Sequence, residues 1–132
     1  MKSVLKASLK TLDSLAEEVA ANLKGGEILA LVGNLGAGKT TFTQKLAKKL
    51  KVKASVLSPT FVLMNLFKAK LKNGRQITLY HLDLYRTRDF AEVKALGITE
   101  FWGQKNSVTV IEWADKIKKH LPKNAIVIYF QN

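Results

Sequence analysis

The sequence contains no cysteine. That single absence excludes a disulfide scaffold, a thiolate zinc site and a cysteine nucleophile, and it fits a protein of the reducing cytoplasm. Long hydrophobic runs are also lacking. Ala125–Phe130, one of the longest, falls far short of the ~20 apolar residues that a spanning helix needs, so no membrane role is expected. Lys6 and Lys10 interrupt what would have to be the apolar core of a signal peptide. Arginine is scarce: Arg75, Arg86 and Arg88 are the three, and none falls in a recognisable lid. No N-K-x-D signature is present. With no internal repeat, low-complexity tract or linker, the 132 residues are expected to form one domain, 1–132.

Acidic residues are in short supply as well. Ten Asp and Glu stand against 22 Lys and Arg, for a formal charge of +12. A hydrophobic fraction of 47% excludes a disordered polyelectrolyte despite that charge. The cations gather between Lys45 and Lys53, between Lys68 and Arg75, and between Lys116 and Lys123. Such density implies affinity for polyanions and salt-sensitive contact with nucleic acid. The competing explanation is that these are solvated faces of helices and a hairpin, since no aromatic stacking platform is interleaved with them.

Apolar residues at 9, 12, 16, 19, 20 and 23 keep a 3.6-residue period and predict an amphipathic helix, ended by Gly25-Gly26. Glu27–Val32 is a short, nearly all-apolar run, as expected for a strand buried on both faces. A glycine-rich segment follows and leads into Lys39–Leu50, where Phe42, Leu46, Ala47 and Leu50 share one helical face. Further on, Phe61–Phe67 and Ile77–Leu82 flank Asn73-Gly74, a hairpin signal. Asp89–Leu96 reads as a helix stopped by Gly97, with a short amphipathic piece through Phe101 and Trp102. Ser107–Ile111 reads as a strand, Ala114–Leu121 as a short basic helix and Ala125–Phe130 as a last strand. Strands alternating with helices around one hairpin predict a mixed sheet, parallel at its centre.

The decisive local pattern is Gly33-Asn34-Leu35-Gly36-Ala37-Gly38-Lys39-Thr40, which fits G-x-x-x-x-G-K-[ST] in full. A polyphosphate must be wrapped by backbone without bulky side chains intervening. Glycines let successive N–H groups turn inward as an anion nest, and the helix that follows adds its positive end. Lys39 is then placed to reach the β- and γ-phosphates, and the Thr40 hydroxyl to coordinate Mg²⁺. A preceding apolar strand and a following amphipathic helix make the match specific. The fold class expected is therefore α/β, a P-loop NTPase-type three-layer sandwich.

A Mg·ATP site also needs carboxylates facing the loop, and these sit where apolar strands end. Two acids qualify, Asp83 after Ile77–Leu82 and Glu112 after Ser107–Ile111. Spacing alone does not tell which one holds the metal; the bland alternatives are an N-cap or a surface bridge with Arg86 for Asp83, and a helix cap for Glu112. His81 shares a strand face with Asp83 and reads more readily as a hydrogen-bonded structural residue than as a base. Trp113 should point away from Glu112, into the core or onto an exposed contact surface. Thr60, in Ser58-Pro59-Thr60-Phe61, could close on the γ-phosphate as a switch or simply sit in a turn set by Pro59.

Taken together, GNLGAGKTT (33–41), SPTF (58–61), HLDLYR (81–86), LGI (96–98) and IEW (111–113) resemble one family over essentially the whole chain. It is the bacterial ATPase family of tRNA threonylcarbamoyladenosine biosynthesis, TsaE, formerly YjeE. The chain departs from the family pattern at Asn34, where an acid is common, at Ala114, where a proline often follows E-W, and in ending after one C-terminal strand. The resemblance implies a cytoplasmic ATPase that binds a TsaB–TsaD pair and supports its turnover without itself transferring the threonylcarbamoyl group; tRNA is reached through that complex. By position, Thr40 and Glu112 match metal-associated residues, Asp83 an acid needed for hydrolysis, Thr60 a switch-like threonine and Trp113 an aromatic flanking the site. The N-terminal helix would contribute near the base through Thr11, and Thr41 completes the phosphate-loop match.

The reading that follows is a slow, partner-dependent ATPase using ATP and Mg²⁺. Lys39 and the loop amides stabilise charge on the γ-phosphoryl group, while Asp83 or Glu112 positions the attacking water. Slowness follows from the missing arginine, worth about 10³–10⁵ in rate in related chemistry. Two alternatives stand beside it. A small-molecule P-loop kinase would need a lid and an acceptor pocket, and a nucleotide-switched RNA-binding module would use the basic clusters.

Overall fold

A computed structural model describes residues 3–7 (backbone only), 11–33, 38–54, 56, 64–85 and 87–130. The six strands are β1 (Ser3–Ala7), β2 (Ile28–Val32), β3 (Met64–Lys70), β4 (Gln76–Asp83), β5 (Ser107–Glu112) and β6 (Ile126–Phe130). They form one sheet in the order β1-β6-β2-β5-β4-β3. All neighbours are parallel except the β3–β4 hairpin, so the sheet is mixed with a parallel centre, as the alternation of elements implies. Helix α1 (Leu12–Asn22) and helix α2 (Lys39–Lys49) cover one face. Helix α3 (Phe90–Ala95) and two 3₁₀ segments, Ile98–Phe101 and Ala114–His120, cover the other.

Strand β2 shows why the sandwich has two cores. Its alternate residues Leu29 and Leu31 enter the cluster under α1 and α2, while Ile28 and Ala30 enter the cluster under α3. A strand with helices on both sides has no wet face, hence the unbroken apolar run. Phe42, Leu46 and Ala47 of α2 are buried against the first cluster, the stripe that their spacing predicts.

Two local features differ from expectation. Strand β1 was not foreseen: five residues with a lysine among them give little local signal, and the pairing partner, Val127 opposite Val4, lies at the far end of the sequence. The basic helix is a 3₁₀ segment broken at Ile117 (φ −126°, ψ 21°). Ala114 and Ile117, three residues apart, are its buried positions, and a three-residue repeat suits the tighter helix better than an α-helical stripe. The hairpin signalled by Asn73-Gly74 is present, its turn spanning residues 71–75 with Gly74 at φ 89°. Among the described residues, no helix is long and apolar enough to cross a membrane.

Candidate functional site

The site lies where parallel strands β2 and β5 and the neighbouring β4 end. Strand β2 runs directly into Gly33, at φ 155°, and a Cβ there would stand 2.8 Å from the Phe130 carbonyl oxygen of the adjoining β6. The close approach leaves room only for glycine. On the other side of the loop Gly38 is left-handed at φ 100° and starts α2. Asn34, Leu35, Gly36, Ala37 and the switch candidate Thr60 lie outside the described residues.

Lys39, the first residue of α2, is only 5% exposed. Its ammonium donates to the Gly33 carbonyl and rests 3.8 Å from the centroid of the Trp113 ring. Burial pulls its pKa below the usual lysine value of 10.5, an effect partly opposed by the negative charges of Glu112, Asp115 and Asp83. The lysine is thus held in a dry place where a further anion would be welcome.

Glu112 ends β5, with Leu31 of β2 on one side and Asp83 of β4 on the other. It shares strand parity with Val108 and Val110, so it faces α2. Thr40 Oγ1 donates to Glu112 Oε1 at 2.9 Å, and His81 Nε2 meets Glu112 Oε2 at 2.5 Å. Each oxygen of this buried carboxyl therefore has a partner, as burial requires. Asp83 is half-buried and its Oδ1 accepts from the Tyr85 amide at 2.9 Å. Of the two acids that the sequence left open, Glu112 is the one that touches Thr40. It does not cap the following segment. His81 is fully buried and meets Glu112 through Nε2, the hydrogen-bonded setting expected of it. Thr41 is exposed and lines the cleft between α1 and α2, and Thr11 is exposed immediately before α1.

Trp113 corrects the alternation argument. The strand ends at Glu112, and Trp113 adopts a left-handed conformation (φ 59°, ψ 38°) that turns its ring toward Lys39 instead of away. For a non-glycine residue this costs about 1–3 kcal/mol; contacts with Lys39 and with Tyr85, whose ring centroid is 5.1 Å away, help hold it. Lys116 then staples the two segments that leave the sheet here. Its ammonium donates to the Tyr85 carbonyl and, at 3.0 Å, to the Thr87 carbonyl. Neither Lys116 nor Asp115 stood out in the sequence, where both read as members of a solvated basic helix.

Residues 6–132 match the model of the family described as "Threonylcarbamoyl adenosine biosynthesis protein TsaE". The chain belongs to the TsaE family. Its TsaE relatives include the tRNA threonylcarbamoyladenosine biosynthesis protein TsaE of Aquifex aeolicus, 42% identical over 89% of this chain and 80% of that protein. The TsaE of Bacillus subtilis is 40% identical over 87% of this chain and 68% of its own length. Among solved structures, that of Bacillus subtilis YdiB superposes with a TM-score of 0.66 at 32% identity, covering 96% of this chain and 74% of the other. Membership places the chain among proteins of tRNA threonylcarbamoyladenosine biosynthesis.

In this TsaE chain the donors around Thr40 suit a hard divalent cation: one hydroxyl and carboxyl oxygens, with no soft ligand. Among the described residues, no three of His, Cys, Asp and Glu cluster as a metal cage. That composition matches Mg²⁺, which takes one or two carboxylates and leaves its remaining positions to water and phosphate oxygens. Two open clefts are also present among the described residues. One of about 730 Å³ separates α1 from α2, and one of about 1020 Å³ runs along the hairpin.

Proposed function

We propose that this TsaE chain is a Mg·ATP-binding, slowly hydrolysing P-loop ATPase of the cytoplasm that supports tRNA threonylcarbamoyladenosine formation through a TsaB–TsaD-type complex. The observation that carries the reading is the Thr40–Glu112 hydrogen bond at the head of α2, directly beside a buried Lys39. A hydroxyl at the first turn of the helix and an acid at the end of the neighbouring strand are the two halves of a nucleotide-bound magnesium site.

In this account residues 33–40 cradle the triphosphate, and Lys39 moves from the Gly33 carbonyl and Trp113 face onto its terminal phosphates. Thr40 and Glu112, with Asp83 next to them, would hold Mg²⁺, which would supply neutralisation of charge on the phosphoryl oxygens. Asp83 orients the attacking water. The water oxygen bonds to the γ-phosphorus as the bridging P–O bond to the β-phosphate breaks, giving ADP and inorganic phosphate. His81 keeps Glu112 pointed at Thr40. Trp113 flanks the pocket, Thr60 closes over the γ-phosphate, and Thr11 and Thr41 border the nucleotide.

Weak intrinsic activity is expected because the described arginines are engaged elsewhere. Arg75 donates to the Lys105 carbonyl and Arg88 lies 3.6 Å from Glu92. The test is phosphate release from Mg·ATP with and without a TsaB–TsaD pair. Slow release alone and faster release with the pair is the expected result. Turnover of tens per second by the chain alone, or phosphate passed to a nucleoside instead of water, contradicts it.

A further inference from the structure

The lysine-rich runs are not equivalent in three dimensions. Lys45 and Lys49 on α2 face α1, where Asp13 and Glu17 approach them at 3.6–3.9 Å. Those charges are answered within the protein. Lys51, Lys53, Lys68 and Lys70 are different. All four are exposed, and all four line the 1020 Å³ groove along the outer edge of the sheet. Every acid of the chain lies among the described residues, and none lines this groove. No acid occurs anywhere between Glu27 and Asp83, so the hairpin has no local counter-charge to draw on. None of the four forms an ion pair among the described residues.

The geometry adds direction. Lys68 and Lys70 stand on the same face of β3, about 6.6 Å apart at strand rise, with Leu66 in line and 56% exposed. Lys51 and Lys53 come from the segment that passes beside β3, held there by the Lys70 amide bonded to the Leu50 carbonyl at 2.7 Å. Two rows of cations thus border one trough. Phe67, on the opposite face of β3, also lines the groove but is half-buried against the core.

We propose that this groove is a second binding site, for the phosphodiester backbone of RNA, separate from the nucleotide site. Phosphates carried past it would replace counterions on four lysines that the protein leaves unneutralised, which favours binding without base recognition. These four lysines play no part in the phosphate loop, so RNA would bind them whether or not the chain hydrolyses ATP.

The test compares the full chain with two fourfold variants of equal charge. The groove variant carries Lys51→Gln, Lys53→Gln, Lys68→Gln and Lys70→Gln; the control carries Lys24→Gln, Lys94→Gln, Lys119→Gln and Lys123→Gln at exposed positions elsewhere. Binding of a fluorescent unmodified tRNA transcript is followed by anisotropy across a salt titration. The groove variant should lose at least tenfold in affinity, and its log–log salt slope should fall by about 3, as expected for four lost phosphate contacts. The control should change far less in both. Equal losses in the two variants overturn the proposal, because net charge alone would then act. So does failure of the parent chain to bind RNA near 0.1 M salt, and so does poly-glutamate competing as well as RNA for the same four lysines. Unchanged melting temperatures keep folding out of the comparison. Absence of an ATP-induced thermal shift in all three proteins would count against the nucleotide site and not against the groove.

Discussion

Two regions of this molecule carry charge in opposite ways. At the ends of β2 and β5 two charges are buried and satisfied: Glu112 by Thr40 and His81, Lys39 by a carbonyl and an aromatic face. Along β3 the charges are exposed and unanswered. The difference is one of solvent. A charge taken out of water must be held by partners, so its geometry is fixed in advance, which suits chemistry on a small triphosphate. A charge left in water keeps its freedom and acts through the summed field, which suits a long polyanion. The same residue type serves both ends, and its number in the sequence says little about which.

The contrast is sharpest under substitution. Glu112→Gln should lower the hydrolysis rate by about 10²–10³ while nucleotide still binds, the loss expected when one group that stabilises developing charge is removed. Lys68→Gln with Lys70→Gln should leave that rate within about twofold. Phosphate-release kinetics on both proteins decide it, and similar rates for the two would erase the distinction.

Next in size, Lys39→Ala should weaken ATP by roughly 10–100-fold, the value of charge-assisted bonds worth about 1.5–3 kcal/mol. Here pH supplies an independent check. Burial depresses the Lys39 pKa, whereas a bound triphosphate favours the charged ammonium. ATP affinity should therefore be flat at neutral pH and start falling before pH reaches 10.5, with protons taken up on binding in that window. Calorimetry in buffers of different ionisation enthalpy measures the uptake. Affinity that rises with pH there would contradict the assignment.

His81→Phe is expected to cost about 1–3 kcal/mol of folding stability, because Glu112 Oε2 would remain buried without its partner. Urea unfolding measures this, and His81→Gln should recover part of it. Smallest of all is the α1–α2 bridge. A double-mutant cycle of Asp13→Asn and Lys49→Gln should give a coupling under about 1 kcal/mol, since both side chains are partly solvated. A larger coupling would make that helix interface, and not the buried site, the stronger electrostatic element.

What the sequence made legible was local. The apolar run of β2, the glycine loop and the stripe of α2 are contiguous, so each announces itself within a dozen residues. The order of elements then constrains a parallel centre, because strand–helix–strand connections leave few alternatives. What stayed hidden was long-range or conformational. Thr40 and Glu112 are 72 residues apart, and His81 and Glu112 are 31 apart; strand order brings them together and no spacing encodes it. The inward turn of Trp113 depends on a left-handed residue at a strand end, where alternation stops applying. Strand β1 depends on β6, which closes the sheet from the other terminus. The lysine runs could be counted in advance, but only the positions of Asp13 and Glu17 separate the paired Lys45 and Lys49 from the open Lys51 and Lys53 of the same run.

The central claim is that residues 33–40 and Glu112 form one pocket for a magnesium-bound triphosphate. It is tested most directly by thermal unfolding with ATP, in the presence of Mg²⁺ and of a chelator. With nucleotide at about 100-fold over its dissociation constant, Mg·ATP should stabilise the fold by about 2.7 kcal/mol, a rise in melting temperature of roughly 8 °C. Chelation should reduce that rise, and Glu112→Gln should make the chelator irrelevant. A melting temperature unmoved by saturating Mg·ATP would contradict the account at its root.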